Sequence, residues 1–263
     1  MNSKSTQLER PAWPVAVVVA YLAMVVMNFL ANALPLFGRD TGEISDRYPS
    51  LFTPAGFTFS VWGVIYLALA GFAYFQATNA GRSDARLPRV RRLFVLSCAL
   101  NIGWLVAWHG LQIPISQVLM IALLVTLIVT YRTSGAWAAP ESRAFRWAVH
   151  VPFSLYLGWI SVATIANTSI FLLDLGFDGG QAAVALTVLV ILVAAVLGLL
   201  GAIRRKDAVY ALVIGWGLTG VAAARAGEST VLLVTAAACA VLLVAVAGWA
   251  IAARASGTAA SRH

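Results

Sequence analysis

Three segments of the chain set indoles, phenols and amides at helical spacing. Asn101, Trp104 and Trp108 follow i, i+3, i+7, and Tyr156, Trp159, Ala163 and Asn167 extend the same stripe by a further turn. Phe59, Trp62 and Tyr66 make a shorter stripe, and Asn28 and Asn32 pair at i, i+4. Indole and phenol faces can stack on a flat apolar ligand while a few amides fix its orientation. Amides can also simply join helices, at about 0.6–2 kcal/mol per hydrogen bond in a membrane, and that structural reading competes with the first. Neither reading needs catalysis. No nucleophile–base pair, metal-ligand cluster or Gly-Lys-Ser/Thr phosphate loop is visible, so no catalytic residue, metal or resident cofactor is expected. Cys98 and Cys239 fall inside apolar runs and read as buried thiols, and His109 and His150, near the ends of such runs, read as hydrogen-bonded structural groups.

The elements that carry these stripes must lie in a bilayer. Of 263 residues, 61% are apolar and 11% charged, whereas a soluble domain carries roughly a quarter charged residues. Charge-free runs of the length a helix needs to cross the hydrocarbon core predict eight helices, near residues 13–36, 54–78, 93–110, 114–131, 147–172, 180–203, 208–224 and 229–253. The alternating pattern of a barrel strand is absent from the sequence. With eight spans, 15 of the 18 Lys and Arg residues fall on one side, and only Arg39, Arg47 and Arg225 on the other. The positive-inside rule then puts both termini in the cytoplasm of a bacterial-type plasma membrane. The net charge of +8 is thereby read as a topology signal, and nucleic acid is not an expected partner. Trp13, Trp137, Trp147 and Trp249 lie at predicted span ends and read as interfacial anchors; Trp108 and Trp216 stay unassigned.

Three motifs, in order, resemble those of the translocator protein family, the tryptophan-rich sensory proteins (TspO/MBR). PSLFTPAGFTFSVWGVIYL, residues 49–67, is similar to the family's Pro-x-Trp-x-Pro-Pro segment followed by Val-Trp-x-x-x-Tyr. ALNIGW, residues 99–104, resembles Ala-Leu-Asn-x-x-Trp, and YLGWISVATIAN, residues 156–167, resembles the family's fifth-helix pattern. The chain departs from the family at Phe52, Phe57 and Phe171, where tryptophan is usual, and at Ala55, which replaces the second proline. The fourth span also lacks the family's acidic residue. The resemblance covers about residues 13–175. It implies a five-helix bundle whose pocket, capped by the loop between the first two helices, takes a tetrapyrrole such as protoporphyrin IX or haem, or a sterol-like molecule.

The fold expected is therefore an all-α polytopic membrane protein, a five-helix TspO-like domain over residues 1–175 with three further transmembrane helices over 176–263. Ligand contacts are expected from Trp62, Tyr66, Asn101, Trp104, Tyr156, Trp159, Ala163 and Asn167. Aromatics would stack, Asn101 and Asn167 would orient the ligand, and Ala163 would leave room. Arg39 and Arg47, in the long loop after the first span, could meet ligand carboxylates as part of a lid. The last three helices carry small residues four apart, Ala211 with Gly215 and Gly220 with Ala224, and are expected to brace the bundle or to form a homo-oligomer contact. The function expected is a sensory or regulatory one, with membrane lipid and the small hydrophobic ligand as partners. Facilitated transport of such a ligand, or porphyrin degradation, are the alternatives.

Overall fold

A computed structural model describes residues 12–34, 36–39, 41–136 and 142–260. Trp137, Lys4, Arg10 and Arg262, and the side chain of Asn32, lie outside the described residues. Eight long helices carry the fold: α1 Ala12–Ala33, α2 Val61–Phe75, α3 Leu87–His109, α4 Ile113–Thr133, α5 Val151–Asp174, α6 Ala183–Arg205, α7 Ala208–Ala224 and α8 Thr230–Ala260. Seven apolar helical segments are long enough to cross a membrane, so the chain is an integral membrane protein, all-α among the described residues. Helix α7 has 17 residues, about 26 Å at 1.5 Å per residue. That is slightly less than a full crossing.

Two boundaries differ from the hydropathy reading for physical reasons. Residues 54–60 belong to an apolar run, yet Pro54 and Ala55 are not helical and Gly56–Ser60 is a 3-10 segment, with Ala55 donating its N–H to the carbonyl of another helix. Helix α3 starts at Leu87, ahead of Arg89, Arg91 and Arg92, with Pro88 at its first turn where no intrahelical N–H is needed. Arg91 is fully buried and donates to the Gln76 side chain at 2.8 Å and to the Gln76 and Gly81 carbonyls, so a guanidinium lies inside the fold in the second turn of α3.

Helices α1 to α5 close a ring. The contacts run from α1 to α3, α3 to α4, α4 to α5, α5 to α2 and α2 back to α1. Near the basic end the ring is filled by Phe72, Phe94 and Phe153, whose ring centroids lie 4.9–6.0 Å apart. Toward the other end the same helices carry the aromatic stripes, and there the ring stays open. Helices α6, α7 and α8 pack together, and α7 lies along the outer face of α5. Gly158 of α5 permits the approach: a Cβ there would stand 3.2 Å from the Tyr210 carbonyl oxygen of α7.

The two groups of helices are pinned at the basic end by Asp207. It lies in the two-residue turn between α6 and α7, where Lys206 adopts left-handed geometry at φ 52°. Its carboxylate caps α7 through Tyr210 N–H at 3.0 Å and accepts from Ser154 of α5 at 2.6 Å and Tyr131 of α4 at 2.8 Å. Burial pushes this carboxyl above the usual carboxylate range, while the hydrogen bonds from Ser154, Tyr210 and Tyr131 act in the opposite direction. Arg254 of α8 donates to the Arg205 and Lys206 carbonyls and closes the same corner. Asp207→Ala removes the acceptor shared by Ser154, Tyr131 and Tyr210 and is expected to lower stability by about 2–4 kcal/mol. Thermal unfolding in detergent checks this, and a melting temperature equal to that of the parent would contradict it.

Candidate functional site

The open end of the ring holds a cavity of about 680 Å³, within the roughly 300–1,000 Å³ usual for small-molecule sites. Asn28, Phe59, Trp62, Tyr66 and Trp104 form its walls. The short helix Thr41–Asp46 lies over it, placing Thr41 and Gly42 at the lining. A deeper recess of about 50 Å³ continues between Trp108, Trp159, Ala163 and Asn167, under Thr53 and Pro54. Thr41, Phe59, Trp62 and Trp104 border both spaces. Exposed Phe29 of α1 and Gly63 of α2 mark a mouth on the side of the bundle, between those two helices.

The aromatic walls interlock. Trp62 stacks on Tyr66 with centroids 5.4 Å apart and planes 17° off parallel, while Trp159 and Tyr156 meet Trp62 edge-on at 6.3 and 5.9 Å. Phe59 meets Trp159 edge-on at 5.7 Å, and Trp104 stacks on Trp108 at 5.9 Å. Stacked and edge-on pairs hold their rings in fixed planes. The rings that wall this cavity consequently support one another.

Not every expected ligand contact sits at the surface of the cavity. Trp62, Tyr66 and Trp104 line the larger space, and Trp62, Trp104, Trp159, Ala163 and Asn167 the recess. Asn101 and Tyr156 line neither: both are fully buried one layer behind. There the Asn101 carbonyl oxygen accepts from Asn28 at 2.7 Å, and the Tyr156 ring supports Trp62. Asn167 borders the recess, but its own hydrogen bonds are committed. Its oxygen accepts from the Trp104 indole at 3.1 Å and its nitrogen donates to Gln117 of α4 at 2.6 Å. Gln117 in turn donates to Thr168 at 2.8 Å. The two arginines also take other places. Arg39 donates to the His109 carbonyl at the end of α3, while Arg47 is exposed, and neither lines the cavity. The loop still reaches the cavity through Thr41, whose hydroxyl is 3.4 Å from the buried His109 ring, and through Ser45.

Three polar groups on residues that line the recess lack a hydrogen-bond partner in the protein. The indole N–H groups of Trp108 and Trp159 and the hydroxyl of Thr53 are buried without a protein partner. Buried polar groups are normally paired, so three unpaired ones on the residues of one recess are unusual. The stripes contain Trp108 and Trp159, but the role of Thr53 depends on a loop conformation that periodicity does not encode. Gln117 was detectable as the one amide in the α4 apolar run. Of the tryptophans read as anchors, Trp147 and Trp249 are exposed and Trp13 lies 5.6 Å from the Arg92 guanidinium.

The fold and cavity define an integral membrane helical bundle with an aromatic chamber at one end, braced by amides and open to the side. A family model described as TSPO-like protein matches residues 14–249, and the chain belongs to that family. The tryptophan-rich protein TspO of Archaeoglobus fulgidus is 26% identical over 163 residues, which is 60% of this chain and 95% of that protein. The match to this shorter relative therefore leaves two fifths of the chain uncovered, whereas the family model runs on into α8. No solved structure matches the chain at a significant level. Asn167→Ala removes the acceptor of Trp104 and the partner of Gln117, and is expected to cost about 1–3 kcal/mol. Unfolding in detergent with parent-like stability would contradict that role.

Proposed function

We propose that the protein binds a flat, largely apolar ligand of the tetrapyrrole class in the aromatic cavity and serves as a membrane receptor or sensor for it. The observation that carries this reading is the meeting of fixed indole planes with the three buried, unpartnered groups of Trp108, Trp159 and Thr53 in one recess. Rings supply stacking area, and the two N–H groups and the hydroxyl suit acceptor atoms on the rim of such a ligand. The mouth between α1 and α2 suits a ligand that partitions into lipid, since it would enter from the hydrocarbon region without crossing water. In this reading the basic end faces the cytoplasm of a plasma membrane, following the distribution of Lys and Arg. The shorter relative carries the name tryptophan-rich protein TspO, which supports the family-level reading.

Titration of the detergent-purified protein with protoporphyrin IX, followed by tryptophan quenching, tests the proposal. Saturable quenching is expected in the parent, and absence of saturation would defeat the reading. Trp159→Phe keeps an aromatic surface but deletes the free N–H, and is expected to weaken binding about five- to tenfold. Gly63 borders the mouth, and a Cβ built there meets nothing within 4 Å. Gly63→Leu therefore adds bulk at the entrance from an open backbone position. It is expected to slow association in stopped-flow mixing several-fold, and an unchanged on-rate would place the entrance elsewhere. Flux of the porphyrin into protein-containing vesicles beyond that of protein-free controls would favour the transport alternative over reception.

A further inference from the structure

Helix α7 does more than pack on α5: it holds the loop that roofs the recess. The Ala55 N–H donates to the Gly220 carbonyl at 3.0 Å, and the Trp216 indole N–H donates to the Thr58 carbonyl at 2.9 Å. Phe57 meets the Trp216 ring edge-on at 5.5 Å. Thr53 and Pro54, directly before this clamped stretch, line the recess, and Phe59, directly after it, lines both spaces. The loop lies so close to α7 that Gly220 has no room for a side chain: a Cβ would overlap the Thr58 hydroxyl and stand 2.9 Å from the Cβ atoms of Pro54 and Thr58. Three residues earlier, a Cβ at Gly217 would stand 2.8 Å from a methyl of Val162, another residue of the recess wall. One short helix thus sets both the roof and the outer wall of the recess.

We infer that Trp216 and Gly220 are positioning residues of the ligand site, and that α7 is a fixed part of the cavity rather than an appendage to a self-sufficient five-helix bundle. This rests on the reading of the cavity as a ligand site. The physical reason is the loop itself. Pro54 has no N–H to donate and Ala55 is not helical, so the local backbone bonds of this stretch are those of the short 3-10 segment Gly56–Ser60, from Thr58 N–H to the Ala55 carbonyl at 3.0 Å, and of Thr53 N–H to the Ser50 carbonyl at 3.3 Å. The two bonds to α7 are the ones that tie the stretch to another long helix and so fix Thr53 and Pro54 over the recess.

The test uses the full-length protein in detergent with protoporphyrin IX, comparing the parent with Trp216→Phe, Gly220→Val and, as a matched control, exposed Trp249→Phe. Binding is followed by the porphyrin absorbance so that loss of an indole does not alter the signal, and amide hydrogen exchange is measured over residues 53–60. Trp216→Phe retains the ring and loses only the donor. It is expected to raise exchange in 53–60 while α1, α3 and α4 keep parent protection, and to weaken porphyrin binding about fivefold; Gly220→Val is expected to do more of both. Trp249→Phe should match the parent. Parent-like exchange and affinity in Trp216→Phe would overturn the inference even if Gly220→Val failed to fold. A general rise of exchange throughout the bundle would also overturn it, by showing a global effect in place of a local one. If the parent itself bound no porphyrin, the ligand-site reading would fall, and the exchange comparison would still decide whether α7 holds the loop.

Discussion

The hydrogen bond from the Trp104 indole to Asn167 is the contact on which the arrangement of the cavity depends. Inside a bilayer a buried amide or indole has no water to turn to, so the pairing it finds in the protein is costly to lose. Asn167 accepts from α3 and donates to Gln117 of α4 while sitting on α5. Three helices are therefore registered against each other by one side chain. Trp104 held in this way presents its ring to both the larger space and the recess, with Trp108 stacked beneath it. The Asn28–Asn101 pair registers α1 against α3 in the same manner on the other side. The amides build the frame, and the aromatic rings line the space it encloses.

This division of labour separates two properties of the fold. The basic end is closed by apolar filling at Phe72, Phe94 and Phe153 and by the hub at Asp207, where α4, α5 and the α6–α7 turn meet. The opposite end is held mainly by polar contacts and keeps its space. A small apolar recess costs dispersion contacts along its lining, and here the surrounding network carries that cost. Helix α7 spans both ends, capped by Asp207 at one and bonded through Trp216 and Gly220 to the roof of the recess at the other.

Much of this was legible in the sequence because a membrane simplifies the code. Charge-free runs located the helices, and the 3.6-residue period placed Trp104, Trp159, Ala163 and Asn167 on inward faces. Periodicity reports a direction but not a partner. It could not show that Asn101 faces Asn28 and that Asn167 holds Trp104, so both amides read as ligand contacts. Nor could hydropathy separate the helix at Val61 from the apolar but non-helical stretch at Pro54, because both are apolar and the partner of Ala55 N–H is a carbonyl 165 residues away, at Gly220. Trp216 resisted assignment for the same reason, since its partner is a backbone carbonyl that only the folded chain brings near. Arg39 was legible as a lid residue but not as one that binds the end of α3.

The central claim is that the space enclosed by α1 to α5, under Thr41 and roofed by Thr53 and Pro54, receives a planar ligand. An experimental structure of the protein solved with protoporphyrin IX bound tests this most directly. The account predicts density for the macrocycle against Trp62 and Trp104, with its rim toward Trp108, Trp159 and Thr53. Density for the porphyrin elsewhere, with this cavity unchanged, would contradict it.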